Sequence, residues 1–233
     1  MYILAIESSS DISSISIGKG NEIVCEYNFK HNLGLLKRLS CEIENMLSSS
    51  EIEIGNLGAI AVSLGPGSFT GLRIGITAAK ALAYALDIPL IGVPTLDAIA
   101  ENVSYMDNLI CPMIFARENE VYFTVFEKEK RLLDYNFMNI EDILKLNELK
   151  DKKVHFLGTG ARKNIEYIKS VLGKNAIFPK EFHDFPRGMS IISIANRKLN
   201  LGQISDPYHL VPMYIKKPTP VIRLHNKEKN NTN

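Results

Sequence analysis

The stretch Leu64-Gly65-Pro66-Gly67-Ser68-Phe69-Thr70-Gly71-Leu72-Arg73-Ile74-Gly75 restricts this chain more than any other. Residues Ala59 to Leu64 form an apolar run that reads as a buried strand. Gly65 and Gly67 free the backbone from Cβ sterics, and Pro66 sets one φ between them, so the strand ends in a tight turn. Ser68 is the expected N-cap of a helix running to about Leu86, where Asp87-Ile88-Pro89 stops it. Gly71, Gly75, Ala79 and Ala83 recur along this helix at every fourth position. Such a row makes a shallow groove that accepts the ridge of another helix. Two glycines inside a helix cost roughly 1 kcal/mol each relative to alanine, which a close backbone approach has to offset. The groove either packs inside the chain's own domain or receives a partner helix, and the pattern alone allows both.

The remainder of the chain supplies the context. Ile3–Ile6 is a short apolar strand; Glu7-Ser8-Ser9-Ser10-Asp11 is a polar turn; Ile12–Ile17 and Ile23–Phe29 continue an antiparallel meander. A helix follows over about Leu33–Ser48, with Leu35, Leu36, Leu39, Ile43, Met46 and Leu47 on one side. Leu90–Val93 is a further strand, and Pro94-Thr95 caps a helix from Leu96 to about Val103. Beyond Tyr105–Asn108 the pattern repeats. Strands are expected at Ile110–Ala116, Glu120–Phe126, Leu132–Phe137, Val154–Leu157 and Ala176–Phe178, and helices at Ile140–Leu146, from Gly160 to Leu172 and over Ser190–Leu199. Pro207–Tyr214 is expected to run extended and pack back on the body. Two successive units of meander plus crossover predict an internal duplication. The expected divisions are 1–104, 105–215 and a basic tail, 216–233, in which five cations face Glu228 alone.

With 45% hydrophobic residues in 233 the chain can bury a core, and a net charge of +1 does not mark the whole body as a nucleic-acid binder. Cys25, Cys41 and Cys111 are too scattered for a disulfide scaffold or a zinc site. The N-terminus lacks the basic flank of a signal peptide and no apolar run reaches membrane-spanning length, so a soluble, cytoplasmic protein is expected.

Chemistry-bearing motifs are sparse. Leu72 follows Gly71 where a Walker loop needs lysine, and the dinucleotide fingerprint is also absent. His31, His155, His183, His209 and His225 show no i, i+4 pair, so no metal site is expected. There is no nucleophile elbow around Ser68. Two features stay open. Glu7, Ser8, Ser9 and Ser10 form either an ordinary polar turn or a residual phosphate loop. Arg73 either snorkels or faces a partner or an anion.

Residues Ile3–Ser10 and the run SLGPGSFTGLRIGITAAKALAYA at 63–85, read with Gly92–Ala98, strongly resemble the TsaB family of tRNA threonylcarbamoyladenosine biosynthesis proteins. His31-Asn32, ARENEVY at 116–122, FLGTGA at 156–161 and PMYIK at 212–216 extend the resemblance over nearly the whole chain. It implies an α/β actin-like ATPase (sugar kinase/Hsp70/actin) fold of two duplicated halves, the second smaller and degenerate. It implies a non-catalytic partner of a TsaD-type catalytic subunit, working with a TsaE-type ATPase, that meets tRNA only through the complex. Relatives of the TsaD type carry a His-x-x-x-His metal motif where this chain reads Gly92-Val93-Pro94-Thr95-Leu96-Asp97-Ala98, so metal-assisted transfer is not assigned here. Glu7, and Phe115 before Ala116-Arg117, stand where relatives usually have aspartate, which lowers the expectation of nucleotide handling. No cofactor is expected on the chain alone, although a nucleotide at the shared interface is compatible with the reading.

The resemblance places partner binding on the first two helices: Leu36, Leu39 and Ile43 on one, and Ser68, Phe69, Gly71, Arg73, Gly75, Ala78, Ala79, Leu82 and Ala83 on the other. Homodimerisation through the same face is expected when the partner is absent. The competing reading is an independent ATP-binding small-molecule kinase or ATPase of the same fold; a protease reading lacks both zinc ligands and a triad.

Overall fold

The computed structural model describes residues 1–20, 22–30 and 34–215. His31-Asn32, the helix start expected at Leu33 and the basic tail lie outside the described residues.

The first lobe opens with the meander β1 (Tyr2–Glu7), β2 (Ile12–Lys19) and β3 (Glu22–Lys30). Helix α1 (Leu35–Ser49) crosses to β4 (Leu57–Ser63), and α2 (Phe69–Leu86) crosses to β5 (Leu90–Val93), which leads into α3 (Thr95–Glu101). The sheet runs in the order β3-β2-β1-β4-β5, with β1, β4 and β5 parallel and β2 and β3 antiparallel.

The second lobe repeats this plan. Strand β6 (Leu109–Arg117) and β7 (Glu120–Phe123) form a hairpin, and β8 (Phe126–Glu127) and β9 (Lys130–Arg131) form a small side ribbon. Strand β10 (Asn136–Asn139), the short helix α4 (Ile140–Ile143), β11 (Val154–Leu157), α5 (Thr159–Lys163), α6 (Ile165–Leu172) and β12 (Ala176–Ile177) complete it. The order β10-β7-β6-β11-β12 matches the first sheet strand for strand. The duplication expected from the sequence is therefore present in topology. The strands expected at Glu120–Phe126 and Leu132–Phe137 are each broken, because Thr124 turns its hydroxyl to the Leu133 carbonyl at 2.5 Å and pulls the chain out of the main ladder.

One expectation about domain limits needs correction. Helix α7 (Gly188–Asn200) follows the second lobe in sequence but packs on the first sheet. Ile191, Ile192, Ile194 and Ala195 cover Ile3, Ala5, Ala59, Ala61, Ile91 and Val93. The other sheet face holds Leu4, Ile6, Ile60 and Val62 beneath α1 and α2. A sheet covered on both faces explains the unbroken apolar runs of β1 and β4. The polar side chains of β2 follow from the same packing: Ser14 Oγ accepts the Gly188 N–H at 2.9 Å, and Ser16 donates to Glu26 at 3.0 Å. Glu26 in turn accepts the Met189 N–H at 3.0 Å and pairs with Arg187, so the orphan donors at the start of α7 are satisfied. Residues of α3 (Ile99 and Ala100) and Val103 join Ile110, Phe126 and Leu157 in a core shared between the lobes.

Candidate functional site

Two neighbouring features dominate the region flagged by the sequence: the β1–β2 turn and the outer side of α2. Glu7 closes β1 and is fully buried. Its Oε1 accepts both the N–H and the hydroxyl of Ser9 at 2.5 Å, while Oε2 has no hydrogen-bond partner. Burial pushes the Glu7 carboxyl up to about 7, against the opposing effect of the Ser9 bonds. Ser8 Oγ donates to the Gly71 carbonyl at 2.9 Å, and Ser10 Oγ donates to the Ile12 carbonyl at 2.7 Å. The Ser9 carbonyl accepts the Ser68 N–H at 2.7 Å, and the Gly71 N–H goes to Ser68 Oγ at 3.2 Å.

These bonds decide what the small-residue row is for. A Cβ on Gly71 would sit 2.0 Å from the Ser8 carbonyl oxygen, and one on Gly75 2.1 Å from Ser8 Oγ. Gly71 and Gly75 are small because the chain's own β1–β2 turn lies in the groove. Ala79 and Ala83 continue the same buried row into the core beneath the helix. The reading of Gly71, Gly75, Ala79 and Ala83 as a partner-facing groove is thereby corrected. In the turn read as a possible residual phosphate loop, the hydroxyls of Ser8, Ser9 and Ser10 all donate to groups of the chain itself.

The other side of α2 faces outward. Ser68, Phe69, Arg73, Thr77, Ala81 and Tyr84 are exposed along it. The Arg73 guanidinium lies 3.9 Å from the Phe69 ring centroid, a cation–π contact that holds the arginine flat on the surface. Leu36 of α1 is exposed as expected, but Leu39 and Ile43 are buried in the core, and Ala78 and Leu82 are half-buried against it. Of the twelve positions assigned to the partner, Leu36, Ser68, Phe69 and Arg73 stand in the open. Tyr84 was missed, although its place on the Phe69–Arg73–Thr77 stripe is legible from helical spacing.

The segment after α7 packs back on the body as expected and borders this face, with a turn at Pro207–His209 in place of a fully extended run. Ser205 bridges to Leu90 on the edge of β5, and the Met213 N–H donates to the Leu64 carbonyl at 2.7 Å. Lys80 Nζ reaches the carbonyls of Tyr208 and Leu210, each at 3.4 Å.

The remaining flagged positions serve structure. The Gly65-Pro66 turn is tied to Thr95, whose N–H donates to the Gly65 carbonyl at 2.9 Å and whose hydroxyl accepts the Gly65 N–H at 3.1 Å. Asp97 accepts the Tyr135 hydroxyl at 2.7 Å. Arg117 pairs with Glu120 across the β6–β7 turn, and Lys163 sits 3.3 Å from the Phe115 ring centroid. Among the described residues no group of His, Cys, Asp or Glu is arranged to hold a metal ion, and no helix is long and apolar enough to cross a membrane.

The Bacillus subtilis (strain 168) protein named tRNA threonylcarbamoyladenosine biosynthesis protein TsaB is 31% identical over 221 residues, covering 93% of this chain and 94% of its own length. The chain belongs to the TsaB family. The family model described as TsaD: tRNA N6-adenosine threonylcarbamoyltransferase also matches, over residues 34–218. A tRNA N6-adenosine threonylcarbamoyltransferase of Staphylococcus haemolyticus is 39% identical over 110 residues, which is 39% of this TsaB-family chain and 31% of that protein. The solved structure of YeaZ from Pseudomonas aeruginosa superposes with a TM-score of 0.77 at 20% identity, covering 91% of this chain and 99% of that one. The two like-ordered sheets therefore belong to the same fold as that structure.

Proposed function

We propose that this TsaB-family chain serves tRNA threonylcarbamoyladenosine biosynthesis as a non-catalytic subunit that pairs with a TsaD-type catalytic subunit and activates it. One observation carries the reading. The turn that would have to handle phosphate is spent on internal hydrogen bonds, whereas α2 presents Phe69, Arg73 and Tyr84 outward with no packing role in the core. Large aromatic and arginine side chains on an open helix face are the anchors that protein interfaces use. A TsaE-type ATPase completes the assembly, tRNA is met through the complex, and the work is done in the cytoplasm. When the partner is absent, the same face pairs two copies of the chain.

The test is reconstitution of tRNA modification from the TsaD-type and TsaE-type proteins with and without this chain. Threonylcarbamoyladenosine is expected only with the chain present. Modification at full rate without it overturns the reading, and so does ATP turnover by the isolated chain.

A further inference from the structure

The β1–β2 turn seals a carboxyl that has no counter-charge. Glu7 and Ser8 are fully buried and Ser9 nearly so, which closes the carboxyl off from solvent while the turn stays in place. Both donors that reach it, the Ser9 N–H and the Ser9 hydroxyl, are spent on Oε1. Oε2 is buried without a partner. A neutral carboxyl tolerates this arrangement. An ionised one leaves half of its charge without a donor, which costs far more than an unpaired neutral atom.

No cation offsets that charge. The elements packed on β1 are β2, β4, α2 and α7. Ser14 of β2 lies opposite Glu7, while Lys19 is at the far end of β2, opposite Tyr2. The turn itself carries Asp11, which is exposed. Strand β4 has no charged residue. On α2, Arg73 lies on the Phe69 ring and Lys80 on the carbonyls of Tyr208 and Leu210. At α7, the N-cap Arg187 pairs with Glu26, Arg197 pairs with Glu101, and Lys198 donates to the Gly92 carbonyl. Among the described residues Glu7 has no ion pair.

The turn that seals Glu7 also fastens the start of α2. Ser8 Oγ donates to the Gly71 carbonyl, and the Ser9 carbonyl accepts the N–H of Ser68, the N-cap. A Cβ on Gly67 would fall 2.2 Å from the Ser9 carbonyl oxygen, so turn and helix start meet backbone to backbone. Because Ser9 holds both the carboxyl and Ser68, Glu7 cannot turn toward water without disturbing the start of α2. We infer that Glu7 and the β1–β2 turn form a proton-controlled clasp: with Glu7 protonated the turn is seated against Ser68 and Gly71, and ionisation of Glu7 releases it. Burial holds the seated carboxyl up to about 7, and a released one returns to the ordinary 4.5. Release therefore becomes more favourable as pH rises between these two values and changes no further above them.

The experiment follows amide exchange of the full chain by NMR from about pH 5 to 8, corrected for the intrinsic exchange rate. The reporting amides are Ser9, bonded to Glu7, and Ser68, bonded to Ser9; Ile60, bonded to the Pro89 carbonyl, reports opening of the whole lobe. In wild type the protection of Ser9 and Ser68 is expected to fall roughly 10-fold per pH unit between about pH 5 and 7 and then to level off. It should stay below that of Ile60 and be unaffected by dilute urea, because a local opening exposes little surface. Glu7→Gln is expected to make protection independent of pH. Ser8→Ala keeps the carboxyl but removes one bond of the clasp, so protection of Ser68 should drop roughly 5-fold at every pH with the wild-type slope retained. Wild type and Ser8→Ala decide the matter if Glu7→Gln does not fold. Flat protection in wild type, a slope that persists in Glu7→Gln, or turn amides that track Ile60 at every pH and urea concentration would each overturn the clasp. Unchanged protection of Ser68 in Ser8→Ala would overturn it as well, since the turn would then not be holding the helix.

Discussion

Replacing Glu7 by Gln should remove one pH-dependent contribution to stability. The carboxyl sits near 7 in the folded chain against an ordinary value of 4.5, because burial penalises its ionised form. An acid whose folded value is raised stabilises the fold below its unfolded value, and that contribution is lost as pH rises toward the folded value. Between about pH 4.5 and 7 the unfolded chain is ionised while the folded chain still holds its proton, so wild-type stability declines through that window and levels off above it. At about 1.36 kcal/mol per unit, the full penalty is somewhat over 3 kcal/mol, and most of it develops between pH 5 and 8. Glutamine keeps an acceptor for the N–H and hydroxyl of Ser9 but puts an amide where Oε2 has no partner, a cost of about 1–3 kcal/mol that does not vary with pH. The informative quantity is therefore the difference between wild type and E7Q, followed across pH by urea unfolding with linear extrapolation. That difference should move in favour of E7Q by about 2–3 kcal/mol from pH 5 to pH 8. Parallel curves, with a constant gap, would refute the account of a carboxyl strained by burial.

Two further substitutions test the packing. Gly75→Ala gains about 1 kcal/mol of helix propensity but drives a Cβ into Ser8 Oγ, so a net loss of roughly 1–2 kcal/mol is expected in thermal unfolding; a gain would mean that the turn does not fill the groove. Glu26→Gln removes the charge that holds Arg187 and the Met189 N–H. Burial pushes the Glu26 carboxyl up, but those partners outweigh it and hold it below the usual range, so its contribution is present above about pH 4.5 and fades as pH falls through the lowered value. The variant should lose about 1–3 kcal/mol at neutral pH and converge on wild type in acid; an equal deficit at both ends would show that the charge is immaterial.

Much of this fold is readable in advance because local rules act alone there. The Gly-Pro-Gly turn, Ser68 as N-cap and the end of α2 ahead of Pro89 follow from backbone sterics, and each is found where expected; the left-handed cap at Asp87 is visible only in the structure. The repeated meander and crossover follow from hydrophobic period, and the second sheet copies the first in strand order. The segment at Pro207–Tyr214 packs back on the body as its partly apolar run suggests, although Pro207–His209 form a turn where an extended run was expected.

The row Gly71, Gly75, Ala79 and Ala83 shows where that reading stops. Spacing every fourth residue establishes that something approaches the helix backbone closely, and the strand-turn-helix unit around it is dictated locally. Whether the intruder is a partner or the chain's own Ser8 is settled by contacts between residues about sixty positions apart, which no local period encodes. The placement of α7 on the first sheet has the same cause: its apolar side is plain in sequence, but the choice of sheet depends on the Ser14, Glu26 and Arg187 contacts that meet its N-terminus. Sequence alone thus established the elements, the duplication and the family resemblance, through interactions within a few residues. Tertiary structure alone decided which face of α2 is spent inside and which, with Tyr208 and Tyr214 beside it, is left open, because burial is a property of the assembled chain.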